Sequence, residues 1–270
     1  LYAIHTNLDN VKNGVSFKMA EVLGLKHIKV LAPMKNTLRK LVFFVPVENT
    51  AAVLKAVHEA GAGNIGNYEE CAFVVDGTGS FKPNALANPT IGTQHQLEYV
   101  NENRVEVILP SYSESRVLKA LFKAHPYEEV AYYLSNLENE NQDVGSGAVG
   151  ELEKEIETAA FLDLLKTKFK TKVVRHTKPV KPVIKKVALC GGAGSFLLPK
   201  AIGAGADVYI SADFKYHEFF DAENKIMIAD IGHFESEQYT KELLAEIISK
   251  KFTNIAVLLS GINTNPVYYH

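Results

Sequence analysis

Three short runs of this 270-residue sequence carry side chains able to hold a cation or move a proton. The sharpest is Gly232-His233-Phe234-Glu235-Ser236-Glu237. His233 and Glu237 are four residues apart, so on a helix they share a face. Imidazole and carboxylate together suit zinc, iron, manganese or similar ions. The competing reading is that Ser236 or Glu237 is a first-turn residue favoured by the helix dipole. The second run is His5-Thr6-Asn7-Leu8-Asp9. Asp9 is a candidate ligand, with His5 as a further ligand or as a partner that orients one. Asp9 or Asn10 could equally cap a helix. The third is Ser211-Ala212-Asp213-Phe214-Lys215-Tyr216-His217-Glu218, in which Asp213 and His217 are again four apart. They are candidate general acid–base groups, or a helix cap and a partly buried histidine.

Two further features carry less chemistry. Cys190-Gly191-Gly192-Ala193-Gly194-Ser195 precedes a helix, where backbone N–H groups can hold phosphate. The dinucleotide fingerprint fails at Leu197 and no Gly-Lys-Ser/Thr follows, so a tight turn forming one wall of a pocket is the better reading. Cys190 reads as a buried core thiol. His125-Pro126-Tyr127-Glu128-Glu129 is a small-ligand element or a rigid turn that ends a helix at Pro126.

The elements that must position these runs follow from periodicity. Residues 1–4 read as a buried strand, 5–9 as a polar loop and 15–23 as a helix stopped by Gly24. Strands are expected at 41–47, 68–75, 94–101, 104–109 and 130–134, with helices from about residue 50 to 60 and from about 114 to 124. Residues 77–80 read as a turn and 136–150 as a polar, glycine-rich return linker. Beyond it come a helix at 159–169 and strands at 172–175, 183–190, 208–211, 226–231 and 255–259. Helices at 196–202, 214–222 and 234–250 alternate with them. Each of the three chemical runs thus lies past a strand end, where open α/β sheets place ligands.

The fold class expected is therefore α/β, a mixed sheet layered with helices, interrupted by a ferredoxin-like α+β insertion. Residues 1–36 would be the first part of the α/β domain, 37–140 the insertion and 141–270 the second part. Leu1 opens the chain inside a strand-like run, so an upstream segment is expected to be missing.

Composition narrows the function classes. The chain is 47% hydrophobic and 22% charged, enough to bury a sizeable core. A net charge of −2 gives no whole-chain basicity for nucleic acid. Two cysteines, Cys71 and Cys190, exclude a disulfide framework and favour a cytoplasmic setting. No apolar run is long enough to span a bilayer.

Taken in order, the His5–Asp9, Gly191–Ser195, Ser211–Glu218 and Gly232–Glu237 runs resemble the GTP cyclohydrolase I type 2 homologue family, also called Nif-three-like dinuclear-metal proteins. Gly63-Asn64-Ile65-Gly66-Asn67-Tyr68, Gly77-Thr78-Gly79-Ser80-Phe81 and His125–Glu129 look like the PII- or CutA-like middle domain of its longer members. The resemblance implies two divalent metal ions per subunit in an intact chain, with Asp9, His233 and Glu237 as ligands. It implies further ligands from a His-His-Pro element on an upstream strand, which this sequence lacks. It also implies a toroidal homohexamer. The expected activity is metal-dependent hydrolysis, with Asp213 and His217 as proton carriers. The family name points to a purine nucleotide such as GTP, although no residue here specifies guanine. The alternative is a non-enzymatic metal-binding scaffold or regulator whose PII-like domain senses a ligand.

Overall fold

The computed structural model describes residues 1–270, and the chain divides into two compact units, residues 1–34 with 142–270 and residues 35–141. In chain order the elements begin α1 (Thr6–Asp9), α2 (Val15–Leu23) and β1 (Lys26–Met34). Next come β2 (Leu38–Pro46), α3 (Thr50–Glu59), β3 (Phe73–Phe81), β4 (Glu98–Pro110), α4 (Glu114–Ala124) and β5 (Tyr132–Leu137). The chain continues through β6 (Asn141–Glu157), α5 (Thr158–Phe169), β7 (Arg175–His176), β8 (Val183–Ala193) and α6 (Leu198–Gly203). It ends with β9 (Val208–Ala212), β10 (Met227–Asp230), α7 (His233–Glu237) and α8 (Thr240–Lys251).

The first unit is built on a six-stranded mixed sheet in the order β1-β6-β8-β9-β10-β7. Strands β8, β9 and β10 run parallel, while β6 and β7 pair antiparallel at either side of them. The central strands are apolar on both faces, as parallel strands covered by helices must be. Val187, Leu189, Val208, Ile210, Met227 and Ala229 point to one layer, where they meet Phe17 and Met19 of α2 and Phe161, Leu165 and Phe169 of α5. Ala188, Cys190, Tyr209 and Ile228 point to the other, against Leu198, Ala201 and Phe214. Asp207 ties the near end of the sheet together. Its buried carboxylate accepts the N–H groups of Lys185 and Lys186 at 2.9 and 2.8 Å and the Lys181 ammonium at 2.5 Å.

The second unit has the element order β2-α3-β3-β4-α4-β5. Its four-stranded sheet is ordered β3-β4-β2-β5, with every neighbouring pair antiparallel. Alternate residues Leu41, Phe43 and Val45 of β2 and Val105, Val107 and Leu109 of β4 pack on Val53 and Val57 of α3 and Val117 and Leu121 of α4. That period-two alternation is what buries one face of an antiparallel sheet under helices.

Several boundaries differ from those that periodicity predicts. Residues 1–4 form no strand, and the expected polar loop contains the helical turn α1. An apolar tetrapeptide needs a neighbouring strand to complete its ladder, and none pairs with it here. Strand β1 and the long β6 fall where a helix-to-insertion connection and a glycine-rich linker are expected. Glycine and polar residues in β6 match a strand whose far segment is exposed. The 94–101 and 104–109 strands are one strand, because Glu102 and Asn103 pair with Pro46 and Val45 rather than turning. Gly77-Thr78-Gly79-Ser80 continues β3, an edge strand paired through Glu102 to Tyr99. The long C-terminal helix breaks at Gln238-Tyr239 into α7 and α8. Residues 255–259 form no strand. No helix is long and apolar enough to cross a membrane.

Candidate metal centre

Three connections that follow β8, β9 and β10 of the first unit's sheet, together with the α1 turn, carry the chemical runs. The α1 turn holds His5 and Asp9. Leu8 anchors it in a small apolar cluster with Val15 and Leu243. Past α1, the Asn10 side chain donates to the Thr6 carbonyl at 2.9 Å and accepts from the Ser146 hydroxyl, and the Asn10 carbonyl accepts the Gly145 N–H at 3.0 Å. Asp9 is thereby fixed beside the β6 segment. Half-burial raises its carboxyl above the usual value, and the nearby His5 and His233 act in the opposite sense.

The loop after β8 supplies a wall rather than a ligand. The Gly192 N–H donates to the Ser236 hydroxyl at 2.8 Å, and the Gly192 carbonyl accepts the Ser211 hydroxyl at 3.0 Å. The buried Tyr209 hydroxyl donates to the Gly194 carbonyl at 2.7 Å. Gly192 has φ of +62°, and a Cβ there would lie 2.4 Å from Glu237 Oε1 and 3.3 Å from His233 Cε1. The missing side chain makes the space in which those two groups stand. Cys190 is a buried thiol whose pKa burial pushes up to about 11, so it is a poor nucleophile or ligand.

The α7 turn presents His233 and Glu237 on one face. His233 Nε2 lies 3.5 Å from Glu237 Oε2, and His233 Nδ1 lies 2.6 Å from Asp213 Oδ2. A carboxylate on Nδ1 fixes the ring orientation and leaves Nε2 facing Glu237. The Asp213 hydrogen bond raises the imidazole pKa, burial acts against it, and the charges of Glu237, Asp213 and Asp9 add to the rise. Burial raises the Glu237 carboxyl; His233 lowers it, while Asp9 pushes it further up. Asp9, Asp213, His233 and Glu237 therefore act on one another electrostatically. As the side chains stand, no three His, Cys, Asp or Glu groups are gathered into a ready cation cage.

His217 is in a different position. It lies in the 3-10 turn Tyr216–Ala222, exposed and edge-on to the Tyr216 ring at 5.3 Å. It forms no hydrogen bond or ion pair with His233, Glu237 or Asp9. His5 is exposed and bonds its own neighbour, Thr6 Oγ1, at 3.0 Å.

Sequence reasoning passed over Asp230, the last residue of β10. It is 3% exposed and binds the N–H groups of both Phe214 and Gly232. A lone acid closing an otherwise apolar strand, Met227-Ile228-Ala229-Asp230, was the available signal. Arg175 also escaped notice. It pairs with Asp230 across β7 and β10 and bonds its carboxylate. A cavity of about 990 Å³ opens beside the cluster, with Arg175, Asp213, His233, Glu237, Tyr239 and Tyr269 among its lining.

The fold and this cluster define a layered α/β protein with imidazole and carboxylates converging above the strand ends. Residues 1–266 match the family described as Duf34/NIF3 (NGG1p interacting factor 3), and the chain belongs to that family. It is 41% identical over 271 residues to the GTP cyclohydrolase 1 type 2 homolog of Halalkalibacterium halodurans, covering 98% of this chain and 73% of that protein. It is 39% identical over 272 residues to the Bacillus subtilis protein of the same name, with coverage of 98% and 73%. The crystal structure of a Bacillus cereus protein related to NIF3 superposes with a TM-score of 0.84 at 38% identity, covering 100% of this chain and 73% of that one. Staphylococcus aureus protein SA1388 is similar at a TM-score of 0.71 and 28% identity, covering 100% and 72%.

Proposed function

We propose that this chain binds divalent metal through Asp9, His233 and Glu237 and serves as a metal-dependent hydrolase of the GTP cyclohydrolase 1 type 2 homologue kind. The observation that carries the reading is the His233 imidazole, bonded by Asp213 on one nitrogen and facing Glu237 with the other, beneath the space kept open by Gly192. The donor types are those a divalent cation takes. Glu237 stands 3.5 Å from the imidazole, Asp9 is near enough to act on both electrostatically, and a bound cation would stabilise the charged form of each half-buried carboxylate and draw the three together. Imidazole and carboxylate donors suit zinc, iron or manganese alike. In an intact dinuclear site such ions supply Lewis acidity and an activated water.

The chain's own residues do the rest. Asp213 holds the His233 ring in register. Glu237 supplies negative charge on the cavity wall. The cavity beside them has room for a nucleotide-sized substrate. Asp213, which lines the cavity, is the proton carrier this reading keeps, while His217, exposed in the turn that follows, is not among the residues of its wall.

The same reading takes residues 37–140 as a PII- or CutA-like insertion. The β-α-β-β-α-β order with strands ordered β3-β4-β2-β5 supports it. It also takes the assembly as a toroidal homohexamer, which light scattering on the purified chain would test.

The deciding experiment is metal analysis of the purified chain beside Asp9→Ala and His233→Ala, followed by turnover assays over a panel of nucleotides. Both variants should lose metal while staying folded. Equal metal content in all three proteins would end the metal assignment. Stoichiometric metal with no turnover of any nucleotide would remove the hydrolase half of the reading.

A further inference from the structure

We propose that Asp230 is a positioning residue for this centre: one buried carboxylate holds the Asp213 loop and the His233 loop in a single register. The inference rests on the metal-binding reading above. Asp230 Oδ2 accepts the Phe214 N–H at 3.1 Å and Oδ1 accepts the Gly232 N–H at 3.0 Å. Phe214 directly follows Asp213, and Gly232 directly precedes His233. The Asp213 carboxylate in turn bonds His233 Nδ1 at 2.6 Å. The contacts therefore close a ring, from Asp230 through Phe214 and Asp213 to His233, and back through Gly232 to Asp230. Moving either loop breaks a hydrogen bond in that ring.

Both loops need an external hold. Asp213 has φ of +58°, a left-handed conformation that a non-glycine residue keeps only where its surroundings hold it, and Gly232 has φ of +92°, a freedom of glycine that leaves the position of its loop to be fixed by its contacts. Asp230 is suited to the task because it is buried and belongs to the sheet. It ends β10, in register with Ser211 of β9 and Arg175 of β7. The Arg175 guanidinium bonds Asp230 Oδ2, donates to the Phe214 carbonyl at 3.1 Å and lies over the Phe219 ring at 5.4 Å. This pairing offsets the cost of burying the Asp230 charge. With three donors already on its two oxygens, Asp230 has little capacity left as a ligand itself. Its effect on a cation must pass through Asp213 and His233.

The test is cobalt(II) titration of the full chain, followed by visible absorption, for wild type, Asp230→Asn, Asp207→Asn and His233→Ala. Asp207 is the matched control, because its buried carboxylate also accepts two backbone N–H groups and one cationic side chain, at the opposite end of the sheet. Asp230→Asn should weaken cobalt binding roughly 10- to 100-fold and alter the absorption band, as loss of an orienting partner does. Asp207→Asn should lower the melting temperature by a similar amount and leave the cobalt affinity and spectrum unchanged. If Asp230→Asn fails to fold, Asp230→Glu, with the charge kept and the reach lengthened, takes its place with the same expectation. Wild-type affinity in the folded Asp230 variant, with binding lost in His233→Ala, would overturn the positioning role alone. An equal loss in both aspartate variants would reduce Asp230 to general stability. Binding unaffected by His233→Ala would overturn the metal-binding reading and this inference with it.

Discussion

His233 Nδ1 and Asp213 Oδ2 lie 2.6 Å apart although twenty residues separate them in the chain. The bond joins the loop after β9 to the first turn after β10, two adjacent parallel strands. It assigns Nδ1 of the imidazole to the protein and leaves Nε2 for an outside partner. Asp213→Asn should therefore keep the fold and weaken zinc or cobalt binding by roughly 10- to 100-fold. Isothermal titration checks this, and affinity unchanged from wild type would detach Asp213 from the centre.

Gly192 is the test of space. Its left-handed backbone would cost an alanine about 1–2 kcal/mol, before the new Cβ meets Glu237 Oε1. Because Glu237 must swing away, Gly192→Ala should lose metal content as well as stability. Urea unfolding with parallel metal analysis separates the two effects. A destabilised variant with full metal content would mean that Glu237 is not a ligand.

Asp207 predicts a pH dependence of stability. Burial would raise its carboxyl, but the Lys181 ammonium and the N–H groups of Lys186 and Lys185 outweigh burial and hold it below the ordinary value of 3.8. A folded pKa below the unfolded one gives stabilisation that is complete above the unfolded value and lost as pH falls through the folded one. Denaturant midpoints of wild type and Asp207→Asn should therefore differ most near neutrality and converge in acid. A gap that stays constant down to about pH 2 would refute the linkage.

Phe43 reports on the second unit by itself. It is fully buried between β2 and the two helices of residues 35–141. Phe43→Ala should cost about 3–5 kcal/mol by leaving a cavity. The residues assigned to the metal lie entirely in the first unit, so metal bound per folded chain should not change. A drop in metal stoichiometry at temperatures where the chain is still folded would tie the insertion to the centre.

Much of this architecture was legible in the residues. Apolar strands such as Val208-Tyr209-Ile210-Ser211-Ala212 and helices such as Val15–Leu23 announce themselves, because burial imposes a period that any environment would reward. The runs around Asp9, Asp213 and His233 stood out because imidazole and carboxylate at four-residue spacing are chemically conspicuous. What escaped was set by partners distant in sequence. β6 looks like a linker because its glycines suit turns, yet it pairs with β8 over Ala148–Glu151 and again at Ile156 and Glu157. Residues 255–259 have the composition of a strand, but no neighbour supplies the hydrogen bonds that would make one.

The sequence alone determined which side chains have the chemistry to meet a cation and which segments had to be buried. The tertiary structure decided which of those side chains meet. It brought Asp213 onto His233, left His217 facing solvent, and set Asp230 beneath both loops. The reason is that contact between strand ends depends on strand order and register, and the long-range pairings that fix them are not written in any local run of residues.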